Sequence, residues 1–570
     1  MEKKQENWAS HIGVILAVAG SAIGLGNFLR FPGQATLYGG GAFMIPYFIA
    51  ILVLAIPLTW SEWALGRFGG RHGFNSIPGI YRAAGKKKGW AYLASLNVLT
   101  PLVINMYYIF IQAWCLVYAL QYLTGILSSM GLGSISIVGN TPGLQLGSSE
   151  AYTQFFNEFI GVGADGSIFS NGIFTPLLVS TAFCFVFNYY LIYRGISKGI
   201  EAFCKIAMPL LLLCSVVILI RVLTLGNPTG TPGQSLLDGL GFMWNPSRDD
   251  ASLAESLSNV DVWLAATSQM FFSVSMGFGL IVTYASYVRQ DCDIALAGLS
   301  AVMGNEFCEI VFGGLMIIPA AIMFLGAGFA DSGTLQNSFA MGFITLPNVF
   351  EQMFAGQFFG FLFFILLFLA AVTSAISMSQ PSVAMFEESL GFKRKYSVLA
   401  TAGLCGLGTF FVCYFSKDAL VLDTFDFWFG TLALFVLATL QTILAAWIWG
   451  TSNVMNELDR AAAIRVPRFI GFVLKYVSTP YLIVIFLLWA WHNLGERLAR
   501  VVSNPKELWM LVFLAAVLGL YVLLARQALR RWEKQEAALE TGRASGKLTE
   551  SSAAESTAVE DASADESARD

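Results

Sequence analysis

Apolar residues along this chain occur in long uninterrupted runs, not in the short periodic patterns of a water-soluble protein. A run of about 20 apolar residues is long enough to cross a bilayer as a helix. The runs predict an all-α integral membrane protein with twelve transmembrane helices. We place the spans at residues 11–36, 41–66, 90–123, 173–190, 198–222, 259–288, 295–325, 355–385, 396–415, 424–450, 468–492 and 508–526.

The loops between the runs differ in charge from one side of the predicted membrane to the other. Lys and Arg gather in the loops on the side of the N-terminus, whereas the loops 124–172 and 326–354 contain neither. Basic loops stay on the cytoplasmic side, so we expect a multi-pass protein of the inner (plasma) membrane with both termini in the cytoplasm. One outer loop disagrees with this pattern because it carries Arg497, Arg500 and Lys506.

Composition supports an integral membrane protein and distinguishes the C-terminal tail from the rest of the chain. Hydrophobic residues make up 56% of the chain and charged residues only 12%, against about 25% charged in an ordinary soluble chain. The last thirty residues are rich in Ser, Ala, Glu and Asp, with three basic and seven acidic side chains, a composition typical of disorder. The first ten residues are polar, and we expect no cleavable signal.

These patterns divide the chain into consecutive segments. The predicted organisation is a cytoplasmic N-terminus (1–10), a first repeat with spans 1–5 (11–222), a second repeat with spans 6–10 (223–450), spans 11 and 12 (451–530) and a disordered acidic cytoplasmic tail (531–570).

Residues with catalytic chemistry are scarce and scattered. The chain has eight cysteines without a CxxC pair and three histidines without a nearby nucleophile pattern. We therefore expect buried free thiols, no enzyme activity and no organic cofactor.

Two of the predicted spans are interrupted by small polar residues. The first contains "GSAIGLGN" (20–27) and the sixth contains "SVSMGFG" (273–279). One such cluster alone is typical of close helix packing. Two clusters at corresponding positions instead predict unwound helices 1 and 6 in a 5+5 inverted repeat, with a transport site in the middle of the membrane, because broken helices are tolerated only where they line a cavity.

Polar residues in two other spans suit the same site. In the eighth span, Ala370, Thr373 and Ser374 share one helix face and offer oxygen atoms to a hard cation. In the seventh span, Asn305 and Glu309 share another face. A carboxylate inside a span is costly and is a candidate for function, the alternative being a paired brace within the helix bundle.

The chain resembles the neurotransmitter:sodium symporter family, and closely resembles its bacterial leucine transporter. The resemblance rests on "GSAIGLGNFLRFP", "GGGAFMIPYF", "FFSVSMGFG" and "TSAISMSQP", and it extends over about residues 7–525. It implies symport of a small amino acid with two sodium ions by alternating access.

The resemblance also implies individual binding residues. The first sodium site would comprise Ala22, Asn27, Ser273 and Asn305, and the second Gly20, Ile23, Ala370, Thr373 and Ser374. The substrate would contact Ser21, Ala22, Leu25, Gly26, Ile104, Tyr108, Phe272, Ser273, Ser275, Phe278, Ser374 and Met378. The outer gate would be an ion pair of Arg30 and Asp426 braced by Gln269. The inner gate would include Trp8, but Gln5 and Glu388 replace its usual arginine–aspartate pair.

Charge in the site indicates the substrate class. Few of its residues carry a formal charge, and amine-transporting relatives have an aspartate at the position of Gly24, so we expect a neutral hydrophobic amino acid. Glu309 would take the place of chloride, which many animal relatives require, and transport would be independent of chloride.

One alternative function remains open at this stage. An amino-acid sensor that does not transport would share every pocket residue, and an intramembrane enzyme is the weakest hypothesis. The expected partners are the substrate and the lipid bilayer, with no nucleic acid, and a homodimer stays open.

Overall fold

All regular secondary structure in the described part of the chain is helical, as the apolar runs predict. The structure is a computed structural model that describes residues 8, 10–133, 135–139, 141–162, 168–171, 174–247, 252–331 and 339–544. The main helices, in chain order, are α1 (His11–Ala22), α2 (Gly26–Leu37), α3 (Gly41–Arg71), α4 (Ile77–Gly85), α5 (Lys88–Ser129), α6 (Ser149–Phe159), α7 (Pro176–Tyr193), α8 (Ile196–Leu223), α9 (Leu236–Trp244), α10 (Leu253–Ser258), α11 (Val260–Ser273), α12 (Leu280–Ala285), α13 (Ile294–Leu325), α14 (341–352), α15 (Gly356–Leu390), α16 (Arg394–Tyr414), α17 (Lys417–Asp459), α18 (Phe469–Ser503) and α19 (Pro505–Ala544).

Ten of the described helices are long and apolar enough to cross a membrane, and the number is eleven if α1 and α2, which meet at a bend of 44°, form one span. The sixth predicted span, 259–288, is present as α11 and α12, two short helices separated by residues 274–279. The structure thus gives ten or eleven candidate spans where the sequence predicts twelve, and the difference lies at this broken segment.

Helices α5 and α15 pack along each other and form the centre of the molecule. The Asn105 side chain on α5 donates a hydrogen bond to the Ser379 hydroxyl on α15 at 2.9 Å. Farther along the same contact, a Cβ at Gly360 would collide with the Tyr122 ring, so only glycine permits this approach. The eight cysteines are buried and free, as predicted.

The break between α11 and α12 lies where other residues replace the lost helical hydrogen bonds. Between α11 and α12, Ser275, Gly277 and Gly279 have φ values of 54°, 77° and 74°, a left-handed conformation that favours glycine. The Gly277 N–H donates to Glu62 Oε1 at 3.0 Å, and the Gly277 carbonyl accepts from Asn97 at 2.9 Å. The unwound backbone is therefore satisfied inside the protein, which is the condition for a break within a membrane.

The C-terminal helix is longer than predicted. Helix α19 continues to Ala544, so the prediction of disorder is wrong for residues 531–544, while 545–570 lie outside the described residues. Trp532 packs this extension against the rest of the protein: it is 6% exposed, and its ring lies 5.3 Å from that of Phe74. Glu536 also pairs with Arg82 on α4 at 2.8 Å. The acidic composition of the tail does not indicate these contacts, because Trp532 and Glu536 precede the residues that are rich in Ser, Ala, Glu and Asp.

Candidate functional site

The two broken helices enclose a cavity together with α5 and α15. Its wall combines backbone from the breaks, hydroxyl groups and apolar side chains. The lining residues are Ser21, Ala22, Gly24, Leu25, Gly26, Leu29, Arg30, Ile104, Tyr107, Tyr108, Ile111, Phe272, Ser275, Phe278, Phe339, Ser374, Met378 and Asp426.

Eleven of the twelve predicted substrate residues line this cavity. Ser273 is the exception, because its hydroxyl donates to Glu309 in a buried network behind the wall. The sequence reasoning missed Leu29, Tyr107, Ile111 and Phe339. Ile111 could have been found, since it lies two helical turns beyond Ile104 on the same face of α5. Phe339 lies in a loop segment that no sequence pattern connects to the site.

The polar part of the wall forms where α1 ends. The Leu25 N–H donates to the Tyr108 hydroxyl at 3.2 Å. The hydroxyls of Ser374 and Ser275 donate to the Ser21 carbonyl at 3.2 and 3.4 Å. The Ser21 hydroxyl is buried and has no hydrogen-bond partner among the described residues. This end of the cavity therefore retains unused capacity for hydrogen bonding.

Gly24 is tightly enclosed. A Cβ at this position would lie 2.8 Å from Ser374 Oγ and 3.0 Å from the Tyr108 hydroxyl oxygen. An aspartate at position 24 would displace both groups, so the site has no room for a fixed acidic side chain here. The apolar part of the wall lies opposite, where the rings of Phe272 and Phe278 meet edge to face at 6.5 Å.

A network of fully buried polar side chains lies behind the cavity. Glu309 accepts hydrogen bonds from Gln269 at 2.7 Å, from Asn27 at 3.2 Å and from Ser273. Asn27 also donates to the Asn305 side-chain oxygen at 2.9 Å. No Lys, Arg or His of the described residues forms an ion pair with Glu309. Three of the four predicted ligands of the first sodium site thus meet beside an uncompensated carboxylate.

A second carboxylate, which the sequence reasoning did not assign to the site, extends this network. Glu306 accepts from the Tyr47 hydroxyl at 2.6 Å and from the Asn305 amide at 3.2 Å. Its position directly after Asn305 was the available signal.

The predicted ligands of the second sodium site lie between α1 and α15. A Cβ at Gly20 would come 3.4 Å from Thr373 Cβ, so the two chains are in close contact. The Thr373 hydroxyl donates to the Ala370 carbonyl at 3.0 Å. The carbonyl oxygens of Gly20 and Ile23 accept no hydrogen bond from another described residue. These neutral oxygen donors fit a small monovalent cation.

The rim of the cavity carries the predicted outer gate. Arg30 donates to the Ser268 hydroxyl at 2.8 Å and to Gln269 Oε1 at 3.3 Å, and its guanidinium lies 4.2 Å above the Phe272 ring. Asp426 accepts from the Tyr107 hydroxyl at 2.7 Å. Both side chains line the cavity, but among the described residues they form no ion pair with each other within 4.0 Å.

On the side of the N-terminus, two predicted gate residues have separate partners. The Trp8 indole N–H donates to the Tyr284 carbonyl at 3.1 Å. Glu388 instead accepts from the backbone N–H groups of Asn75 and Ser76 at 3.1 and 2.7 Å, just before α4. Gln5 lies outside the described residues.

Comparison with known proteins gives a consistent result. A profile of the sodium:neurotransmitter symporter family matches residues 5–530. An uncharacterized sodium-dependent transporter of Methanocaldococcus jannaschii is 28% identical over 473 residues, covering 81% of this chain and 86% of its own length. The sodium-dependent nutrient amino acid transporter 1 of Drosophila simulans is 25% identical over 524 residues, covering 85% and 77%.

A solved structure matches as well. The crystal structure of MhsT in complex with L-phenylalanine superposes with a TM-score of 0.68 at 27% sequence identity, covering 85% of this chain and 99% of that chain. The chain therefore belongs to the sodium:neurotransmitter symporter family, and it is a sodium-dependent membrane transporter and not an enzyme.

Proposed function

We propose that this protein is a symporter that couples the uptake of neutral hydrophobic amino acids to sodium by alternating access. The observation that carries this proposal is the cavity, in which the unwound end of α1 faces an apolar wall. Its only charged lining residues in the described part of the chain are Arg30 and Asp426, at the rim.

A zwitterionic amino acid matches the two parts of the wall. Its carboxylate would face the N–H groups at the start of α2 and the Tyr108 hydroxyl, because a helix N-terminus favours negative charge. Its ammonium would face the backbone and serine oxygens near Ser21. Its side chain would lie among Ile104, Phe278 and Met378. The tight enclosure of Gly24 supports an amino acid over a monoamine, since no acidic side chain is available there.

Sodium would enter as a co-substrate at two positions. The first is the network of Asn27, Ser273 and Asn305 with the Ala22 carbonyl, completed by the substrate carboxylate. The second is the contact between α1 and α15, with the oxygens of Gly20, Ile23, Ala370, Thr373 and Ser374. Glu309 would supply the negative charge that a buried cation needs, so transport would proceed without chloride.

The proposal extends to the architecture. The segment α11–α12 would be the sixth span and would bring the total to twelve. Residues 11–222 and 223–450 would be inverted repeats, and both termini would lie in the cytoplasm at the plasma membrane. Two relatives support the substrate class by their names: the Drosophila protein is a nutrient amino acid transporter, and MhsT was solved with L-phenylalanine.

The decisive experiment is uptake into proteoliposomes. Purified protein should accumulate radiolabelled leucine, methionine or phenylalanine when sodium is outside, and it should not do so in potassium. Binding without accumulation would contradict the symporter and favour a sensor. Accumulation that is indifferent to sodium would contradict the coupling.

A further inference from the structure

The start of α1 is attached to α8 by a carboxylate that the proposed transport sites do not use. Glu201, in the first turns of α8, is 1% exposed. Its Oε1 accepts a hydrogen bond from the Ser10 hydroxyl at 2.9 Å and lies 2.8 Å from Lys205 Nζ. Ser10 is also the N-cap of α1, since its side chain accepts from the Gly13 N–H at 3.0 Å. The carboxylate therefore lies at the N-terminal end of a helix, where negative charge is favoured.

Two glycines of α1 permit this contact and continue it towards the cavity. A Cβ at Gly13 would collide with the Glu201 carboxylate, and a Cβ at Gly20 would lie 3.1 Å from Met208 Sδ. Gly13 and Gly20 lie two helical turns apart on α1, and their partners Glu201 and Met208 lie the same distance apart on α8. One face of α1 thus follows one face of α8 from Ser10 to the proposed second sodium site.

A second contact holds the same segment from the other side. Besides its bond to the Tyr284 carbonyl, the Trp8 ring packs edge to face on the Tyr284 ring at 5.1 Å. The Tyr284 hydroxyl donates in turn to Ser377 on α15 at 2.8 Å. The residues that precede α1 are therefore attached both to α8 and to the α12–α15 contact. Glu388, which would have been the acidic partner of the usual inner gate, is engaged at α4 instead.

We infer that Glu201 is a positioning residue of the transport cycle, whose carboxylate holds the start of α1 against α8 while the cytoplasmic side is closed. The inference rests on the alternating access proposed above. Opening of the cytoplasmic side moves the start of α1 away and breaks the contact between Ser10 and Glu201. Lys205, which is 43% exposed, remains paired with Glu201 through the step. The carboxylate therefore does not become an unpaired buried charge when Ser10 leaves.

Sodium binding and this contact favour the same state. Sodium at the proposed second site joins α1 to α15, so it stabilises α1 in the closed position. By linkage, weakening the Glu201 contact makes sodium bind less tightly, because part of the binding free energy must restore the closed position. A residue that only supports folding has no such effect on the sodium response.

Cys204 is a natural reporter for this opening. It lies one helical turn from Glu201 on α8 and is 1% exposed. The experiment measures the rate at which a methanethiosulfonate reagent modifies Cys204 in a protein whose other seven cysteines are replaced by serine or alanine. Sodium is titrated against potassium in the presence of L-phenylalanine, and the reference protein should be protected by sodium.

Three variants disturb the contact by different means. Glu201→Gln removes the charge, Ser10→Ala removes the donor, and Gly13→Ala displaces the carboxylate sterically while it keeps both polar partners. Each should speed modification in potassium and raise the half-protecting sodium concentration by roughly three- to tenfold, the effect expected for the loss of one ordinary hydrogen bond. The double variant Ser10→Ala/Glu201→Gln should exceed Glu201→Gln alone by little, because Glu201→Gln already weakens the contact that Ser10→Ala removes.

Glu255→Gln is the matched control. Glu255 accepts a serine hydroxyl in the same way, from Ser252 at 2.8 Å, but it is exposed and lies on α10, outside the contact between α1 and α8. This variant should behave like the reference protein.

Each contrary result has a distinct meaning. If the reference protein responds to sodium and the three variants respond identically to it, the role of Glu201 is overturned while the proposed function stands. If the variants are modified fast and saturating sodium does not restore protection, Glu201 only supports folding, and the inference is overturned. A reference protein that sodium does not protect contradicts the proposed cycle and the inference with it.

Discussion

At the scale of single residues, Glu309 is the most informative side chain because all of its hydrogen-bond donors are neutral. Gln269, Asn27 and Ser273 surround a buried carboxylate without an ion-pair partner among the described residues. We predict that wild-type uptake is unchanged when gluconate replaces chloride. In gluconate, uptake by the Glu309→Ser protein should be more than about tenfold slower than wild-type uptake. Chloride should restore it, since a mobile anion then supplies the missing charge. Uptake assays in the two salts measure this.

Glu306→Gln provides the control for this prediction. It changes the neighbouring carboxylate, which is held by Tyr47, and it should not make uptake respond to chloride. An active Glu309→Ser protein that ignores chloride would show that no negative charge is needed at this position.

A second residue-scale prediction concerns the proposed second sodium site. Thr373→Val combined with Ser374→Ala removes two hydroxyl oxygens with little change of volume. We expect sodium-dependent uptake to be abolished while the protein still inserts and folds. The control is Ser397→Ala with Thr401→Val, a buried pair on α16 that lies away from the cavity. Unchanged uptake with an unchanged sodium dependence would refute the site.

A third residue-scale prediction concerns substrate class. Gly24 leaves no space for an acid that could hold an amine, and the first sodium position needs a substrate carboxylate. Tyrosine should therefore compete with bound radiolabelled phenylalanine much better than tyramine, which lacks the carboxylate. Equal competition by the two compounds would contradict the role of the carboxylate.

The sequence predicted the residues at the breaks because glycine and serine within an apolar run are unusual and have few explanations. Ser21 and Ser275 were found in this way. Ser273 was misplaced relative to the cavity, since one residue of rotation at the end of α11 decides which side it faces. Phe339 was missed because it reaches the cavity from a loop, where no periodicity applies.

At the scale of elements, the loop that contradicted the charge rule is explained by pairing. Arg497 on α18 lies 2.6 Å from an Asp423 oxygen on α17, and Arg500 lies 2.8 Å from the buried Glu507 on α19. These arginines join three helices and are not free charges of a loop. A count of basic residues in the loops cannot detect these ion pairs, because Asp423 is distant in sequence and Glu507 belongs to the next helix.

The rim of the cavity is a contact between α2, α11 and α17, and it gives an element-scale prediction. Arg30 is half-buried and forms no ion pair with Asp426 within 4.0 Å, and a partly exposed charge of this kind contributes roughly 0–1 kcal/mol to stability. Arg30→Gln should therefore slow uptake, because the cover over Phe272 is lost, and leave the thermal denaturation temperature nearly unchanged. Arg221→Gln is the control, since this arginine also lies over a phenylalanine ring, 5.9 Å from that of Phe359, away from the cavity. An Arg30→Gln protein with normal uptake but a large loss of stability would contradict the role of Arg30 in the outer gate.

At the scale of the whole molecule, α19 connects the end of the chain to the loop between the second and third spans. Trp532 lies in a small apolar cluster with Ala91, Ala528 and Leu529. We predict that Trp532→Ala lowers the free energy of unfolding by roughly 3 kcal/mol, as for other buried aromatic residues. Thermal denaturation in detergent measures the effect.

Trp509→Ala is the control, because this tryptophan lies on the same helix and is 68% exposed. Equal denaturation temperatures for the two variants would show that the C-terminal part of α19 does not stabilise the fold. The sequence predicted the order of the membrane helices well, since long apolar runs have few other uses, but it counts twelve spans where the described residues form ten or eleven candidates. It could not predict where α19 ends, because that depends on Phe74 and Arg82, which are distant in sequence.

The spacing of Gly13 and Gly20 has a consequence for how this protein can change over evolutionary time. Each glycine meets a bulky side chain of α8, so the number of residues between them must stay fixed. One inserted residue would rotate the following part of α1 by about 100°. Gly20 would then face away from Met208, and a side chain would be driven into α8 in its place. Substitutions between the two positions should be tolerated among descendants of this sequence, whereas insertions and deletions there should be absent.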